Sequence, residues 1–349
     1  MSESMAILKE MVETPGIAGR ESQICQLIKN CATDTNAFDD IAVDALGNLI
    51  CHRAAFKKNH NTKRILVVAH MDQCGFLVSF IAEDGALYLH PVGTWDARTL
   101  GSQPVWVVSR HGDRVAGHVK IAGKPVHTAA ESELNRSLSI EDFYVDIAQS
   151  GEWAKEHVAP GDMVVFRGAL ERIGGALVGA GLDDRLGCWA MIQSLPLLTN
   201  THDEFFFAFS VQEELGSRGV GPVCGRLEPD IAIVCETVVS CDTPGVAMPE
   251  RVTEPGKGIA LQLADSSMIS DESLVKKAEQ ALTNAHVPHQ LSIMRGGGQD
   301  GAIIQRSGRG VKTLALGCPL KYMHSAHEYV NTSDMEAYPV TVATLLNAL

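Results

Sequence analysis

Five short segments place His, Asp or Glu at or just beyond the end of an apolar run: His70-x-Asp72, Leu182-Asp-Asp-Arg185, Gln212-Glu-Glu214, Cys235-Glu236 and Tyr322-Met-His324. Two imidazoles and several carboxylates suit a pair of divalent ions, because zinc accepts nitrogen and oxygen at roughly 2.0–2.2 Å and one carboxylate can bridge two ions. No thiolate belongs to the set, which argues against a structural zinc site. A catalytic pair about 3.5–4 Å apart holds a water and polarises a carbonyl. Taken singly, each segment also reads as ordinary structure, the histidines as hydrogen-bonded strand-end residues and the acid pairs as turns or helix caps. Gln212-Glu-Glu214 carries the most weight. Two adjacent acids there end a strand too apolar to be an exposed edge, and burying them requires a counter-charge.

A scaffold must bring these segments together. Ile65-Leu-Val-Val-Ala69, Phe205-Phe-Phe-Ala-Phe-Ser-Val211, Ile231-Ala-Ile-Val-Cys235 and Val311-Lys-Thr-Leu-Ala-Leu316 are apolar runs with little or no alternation. Such strands are usually buried on both faces, in a sheet covered by helices. The ligand crevice of an open α/β sheet lies at the carboxyl ends of its strands, where distant segments converge. Met5, Leu8, Met11 and Val12 share one helical face, and Ile24, Leu27, Ile28 and Cys31 share another. Asp271 to Leu282 reads as a helix with acids first and lysines later. Ser333-x-x-Glu336 reads as a capping box for a last helix that Pro339 should kink or delay. From Gln73 to Arg167 the texture changes to short alternating runs at 75–81, 105–108, 115–119 and 162–166, an all-β pattern. Its polar stretch from Lys124 to Asp142 suits a long loop. The expected fold is α/β, with one unit formed by residues 1–72 and 168–349 and a small β domain inserted at 73–167.

The 349 residues, 45% apolar and 20% charged, fit a soluble globular protein of about two domains. A formal net charge of −13 excludes a nucleic-acid-binding surface, which needs clustered Lys and Arg; acids grouped around metal ions would add to the same count. Nine cysteines with no C-x-x-C pair read as reduced, buried thiols. The N-terminus lacks a signal-peptide pattern and no stretch reaches the ~18 apolar residues of a membrane span, so a cytoplasmic protein is expected.

Seven motifs now fall into one order: Ala69-His-Met-Asp72 with Gly75-Phe, Gly181-Leu-Asp-Asp-Arg-Leu-Gly187, Val211-Gln-Glu-Glu-Leu-Gly216 with Arg218-Gly219, Asp242-Thr-Pro-Gly245, Asp265-Ser-Ser-Met268, Gly296-Gly-Gly-Gln-Asp-Gly301 and Met323-His-Ser325. In this order the chain resembles, over nearly its whole length, the M42 metallo-aminopeptidases, which include glutamyl, leucyl and lysyl aminopeptidases and chains historically labelled endoglucanases. The resemblance implies a zinc-peptidase-like catalytic domain with a mixed sheet, and an inserted β-barrel-like domain that makes dimers and builds dodecamers. It implies two divalent ions per chain, zinc first and cobalt or manganese as substitutes. His70, Asp183 and Glu236 would hold one ion; Asp183, Glu214 and His324 would hold the other. Glu213 would be the general base, and Asp72 would orient the His70 imidazole. Short peptides would be the substrates, cleaved at their N-terminal residue.

Three positions depart from the family pattern: Glu236 where Asp is common, Gln73 after the Asp72 position where Glu is common, and Gln299 where Thr is common. The first bears on metal affinity and spacing, the others on surroundings and specificity. His327, three residues past His324, is a rival ligand. His111, His286 and His289 read as surface residues. Two other functions fit parts of the pattern. A glycosidase would use paired carboxylates roughly 5–9.5 Å apart but leaves both histidines unexplained. An inactive peptide-binding or assembly protein of the same fold would draw its support from Glu236.

Overall fold

The computed structural model describes residues 3–349. Helices α1 (Glu3–Glu13) and α2 (Ser22–Asp34) precede a hairpin, β1 (Asp40–Val43) and β2 (Leu49–Arg53), and then the buried strand β3 (Arg64–His70). Next come β4 (Gly75–Ile81), β5 (Leu87–Val92), β6 (Pro104–Val108), β7 (Arg114–Ile121), α3 (Glu131–Leu134), β8 (Phe143–Asp146), α4 (Gly151–His157) and β9 (Met163–Phe166). Their six strands close a barrel in the order β4-β5-β8-β7-β6-β9, every pairing antiparallel.

The chain continues through β10 (Glu171–Ile173), β11 (Ala176–Gly179), α5 (Leu182–Ser194), β12 (Glu204–Ser210), α6 (Val220–Leu227), β13 (Ile231–Val239) and β14 (Ile259–Ala264). It ends with α7 (Glu272–Asn284), β15 (His289–Ile293), α8 (Gly301–Ile304), β16 (Lys312–Lys321), β17 (Glu328–Asn331) and α9 (Thr332–Ala348). Eleven strands form one mixed sheet, β1-β2-β12-β3-β13-β16-β17-β11-β10, with β14 and β15 branching from β16. Its centre, β12-β3-β13-β16, is parallel.

Alternation along these strands separates two cores. Ile65, Val67 and Ala69 face the layer of α1, α2, α5, α7 and α9, while Leu66 and Val68 face α6 and α8. Phe205, Phe207 and Phe209 join the first layer, and Phe206 and Ala208 the second. Burial on both faces is why these runs look continuously apolar.

Several local expectations need correction. Asp271 caps α7, accepting from the Leu274 N–H at 3.1 Å. The last helix, however, is capped by Asn331, whose side chain accepts from Ser333 N at 2.9 Å, so Ser333 and Glu336 form no capping box. Pro339 lies buried inside α9 and does not delay its start. The polar stretch 124–142 contains α3 rather than loop alone, and β5 has no counterpart among the expected strands. All nine cysteines are free, six of them buried and Cys31, Cys74 and Cys241 partly so. Among the described residues no helix is long and apolar enough to cross a membrane.

Candidate metal centre

Adjacent strands deliver the first two groups. His70 ends β3, and Glu236 lies in β13 two residues beyond Val234, which pairs with Val68, so the two side chains arrive at one level. Asp183 stands in the first turn of α5 rather than at a strand end, and the Asp183-Asp184 peptide is cis. This helix packs against β13 so closely that a Cβ at Gly187 would fall 2.4 Å from both the Asp184 carboxylate and the Cys235 carbonyl. Glu213 and Glu214 occupy a single 3-10 turn after β12, entered through left-handed Gln212. They are therefore not strand neighbours, and the turn aims them. His324 follows β16 in a left-handed conformation.

These elements bring all five sequence-expected ligand residues into one cluster. His70 Nε2 lies 3.4 Å from Asp183 Oδ1 and 3.7 Å from Glu236 Oε2. His324 Nε2 lies 3.3 Å from Asp183 Oδ2 and 3.4 Å from Glu214 Oε1. Asp183 thus stands between the imidazoles, one oxygen toward each. His327 is exposed and outside the cluster, His111 and His286 are exposed, and His289 is half-buried.

Both rings are held by main chain. His70 Nδ1 donates to the Asp72 carbonyl at 2.9 Å and His324 Nδ1 to the Thr94 carbonyl at 2.9 Å, which leaves each Nε2 free to face the acids. The Asp72 carboxylate is 3.6 Å from His70 Nδ1 and is engaged elsewhere. Its oxygens accept from the main-chain N–H of Glu213 and of Glu214, each at 3.1 Å. Asp72 thus orients the imidazole through its backbone and the glutamate turn through its side chain.

Other supports escaped the sequence reading. Glu328, buried, accepts from Asp183 N at 3.2 Å and His324 N at 2.8 Å. Thr237 Oγ1 donates to Asp183 Oδ1 at 2.8 Å, and Ser217 Oγ donates to Glu213 Oε1 at 3.0 Å. Asp184, named only within a motif, lies with His70 and Glu236 in a compact group of potential ligands. Glu328 sits four residues past His324, but only the β16-β17 pairing folds it back.

The electrostatics state what is missing. Glu214 Oε1, Glu236 Oε1 and Asp184 Oδ2 are buried without a hydrogen-bond partner. Burial pushes Glu213 up to about 8, Asp300, Glu214 and Asp72 adding to the rise against the pull of His70. Glu236 is likewise raised by burial, and Glu328 is raised to about 8 by burial and Asp183. Burial lowers His324, yet Asp183 and Glu214 carry it up to about 10. For Asp183 the penalty of burial is overcome by His324 and His70, which hold it well below the carboxylate range. Crowded, buried acids with orphaned oxygens and two outward Nε2 atoms fit bound divalent cations. The centre opens on a cavity of about 1000 Å³.

Imidazoles and carboxylates gathered beyond the ends of parallel strands place the molecule among metal-dependent hydrolases. The chain belongs to the M42 glutamyl aminopeptidase family, whose model matches residues 47–339. It is 27% identical over 338 residues to a lysyl aminopeptidase of Pyrococcus furiosus, covering 95% of this chain and 93% of that one. The solved TET aminopeptidase of a marine-sediment archaeon of the Thaumarchaeota superposes with a TM-score of 0.92 at 29% identity, covering 99% and 96% of the two chains. The Pyrococcus horikoshii TET1 peptidase, which can assemble into a tetrahedron or a large octahedral shell, gives 0.86 at 30% identity over 99% and 100%.

Proposed function

We propose that this aminopeptidase-family hydrolase is a two-ion enzyme that removes N-terminal residues from short peptides. His70, Asp183 and Glu236 would hold one ion, and Asp183, Glu214 and His324 the other. One observation carries the reading: the two oxygens of Asp183 face two different imidazoles at 3.4 and 3.3 Å, the disposition of a bridging carboxylate. Zinc suits the nitrogen and oxygen donors, with cobalt or manganese able to replace it.

Bound ions supply Lewis acidity, which acidifies a water and polarises the scissile carbonyl. Glu213 takes the proton of the attacking water on its carboxylate and returns it to the leaving amine. The Ser217 hydroxyl occupies Oε1, leaving Oε2 for the proton. Asp72 fixes the position of Glu213 through the turn. A free N-terminal amine finds surplus carboxylate at the cavity floor, which makes the reaction an exopeptidase reaction. The cavity lining also carries Arg251, Arg295 and Arg306, none ion-paired to a carboxylate among the described residues, against one acid outside the metal centre, Glu250. That wall favours substrates with an acidic N-terminal side chain.

We extend the proposal to the barrel as the inserted domain, residues 73–167, through which copies of the chain associate. Phe80, Tyr88, Ile121, Val126 and Leu134 are exposed there, an apolar set that a second copy would cover. A glycosidase reading loses its basis, because the close-set acids face imidazoles instead of flanking a sugar site. Elemental analysis combined with a panel of chromogenic aminoacyl substrates tests the function. Two ions per chain and release of N-terminal residues are expected. A metal-saturated chain that cleaves no member of the panel would leave the inactive, peptide-binding reading in its place.

A further inference from the structure

Cys74, an ordinary buried thiol by its sequence, lies at the edge of the metal centre. Cys74 immediately precedes β4. Its sulfur, a Glu214 oxygen and a His324 ring nitrogen all lie within 4.8 Å of one another. Glu214 Oε1, 3.4 Å from His324 Nε2, is buried with no hydrogen-bond partner, on a side chain only 5% exposed. The main chain makes room for the thiol: at Gly93, where φ is +85°, a Cβ would lie 2.2 Å from the Cys74 sulfur and 3.3 Å from Glu214 Oε2. The next residue, Thr94, anchors His324 Nδ1 through its carbonyl, which is also 4.0 Å from the Cys74 sulfur. Thiol, imidazole and carboxylate therefore meet at one corner of the site.

We propose that Cys74 is a further donor to the ion held by Asp183, Glu214 and His324, an inference that rests on the two-ion reading. The sulfur–metal bond forms as the S–H bond breaks, the proton passes to solvent and no oxidation state changes. The thiolate would stand beside Asp183, Glu214 and His324 and make this position softer than its neighbour. Zinc and cadmium are favoured there over manganese and magnesium.

The test uses the full chain, stripped with a chelator and reloaded with cobalt to a stoichiometry fixed by elemental analysis. The wild type and Cys241→Ser, which removes the thiol that lines the cavity, should show a near-ultraviolet thiolate-to-cobalt charge-transfer band. Cys74→Ser and Cys74→Ala should lose it. The serine variant should also lose at least about tenfold in affinity for cadmium relative to manganese, the lower end of what even an outer partner of a metal ligand contributes. Two bound cobalt ions without the band, or a band that survives Cys74→Ser, would overturn the role of Cys74 and leave the two-ion reading standing. A wild type that binds no cobalt overturns both. Should neither Cys74 variant fold, the spectrum of Cys241→Ser decides, its band supporting Cys74 and its absence refuting it.

Discussion

Asp72→Asn separates the two ways in which this fully buried residue could act. Its carboxylate accepts two main-chain N–H groups, from Glu213 and Glu214, each at 3.1 Å. Asparagine has the same shape but keeps one acceptor and turns its NH2 toward the other N–H. One hydrogen bond to a charged group is lost, a contribution of about 1.5–3 kcal/mol. If the turn relaxes and Glu213 leaves the attacking water, that energy enters the barrier, and kcat falls by about 10- to 150-fold. Metal content should stay at two ions per chain, because the His70 imidazole is held by the carbonyl of residue 72, which the substitution retains. Steady-state kinetics on a chromogenic aminoacyl substrate, with elemental analysis of the same sample, reads both quantities. An unchanged kcat, or loss of an ion that accounts for the lost activity, would refute the argument that Asp72 acts through the glutamate turn.

Glu213→Gln should keep both ions while turnover drops by a factor on the order of 10² to 10⁴, the usual share of a positioned base; an unchanged rate removes Glu213 from that role. His324→Ala should lower bound metal from two ions to one per chain, and retention of two would contradict its assignment. Glu213 and Glu328, raised to about 8, and Asp300, raised to about 6, bind more protons folded than unfolded above the ordinary carboxylate range. The chelated protein should therefore lose thermal stability as pH rises from about 5 to 8, and saturating zinc should remove the slope; a chelated protein that gains stability over this interval would sink the reasoning. Arg295→Gln should reduce the kcat/KM ratio for N-terminal Glu over N-terminal Gln substrates by about tenfold, the effect of one charge pair at about 10 Å across a partly solvated cavity; an unaltered ratio would clear the arginine wall of any part in selection.

Strand interiors were legible because burial on both faces leaves an unbroken apolar run, as at Ile65–Ala69 and Phe205–Phe209. The candidate ligands were legible because His70, Asp183, Glu214, Glu236 and His324 each stand at or just beyond the end of an apolar run in the sequence. Edge strands such as β10, at whose three residues every side chain is exposed, carry no such signal. The supporting groups were hidden for another reason. Glu328 and Thr237 act across 145 and 54 residues of sequence, so only the folded register assigns them to Asp183. Asp72 lies against His70 as expected, but its carboxylate also holds the glutamate turn, because two groups of one residue serve two partners and the sequence does not say which atom goes where.

The imidazole anchors bear on how the two parts of the molecule depend on each other. His70 is oriented from within its own turn, by the carbonyl of Asp72. His324 is oriented by the carbonyl of Thr94, which follows barrel strand β5, across 230 residues of sequence. The barrel therefore supplies an acceptor that fixes one imidazole of the centre, and Cys74 and Gly93, at the start of β4 and the end of β5, crowd the same corner. The acceptor of His324 thus belongs to the barrel, whereas the acceptor of His70 lies two residues along its own chain. Association of copies through the barrel would accordingly be felt at the Asp183–Glu214–His324 position more than at its neighbour, since only that position takes its orientation from the inserted strands.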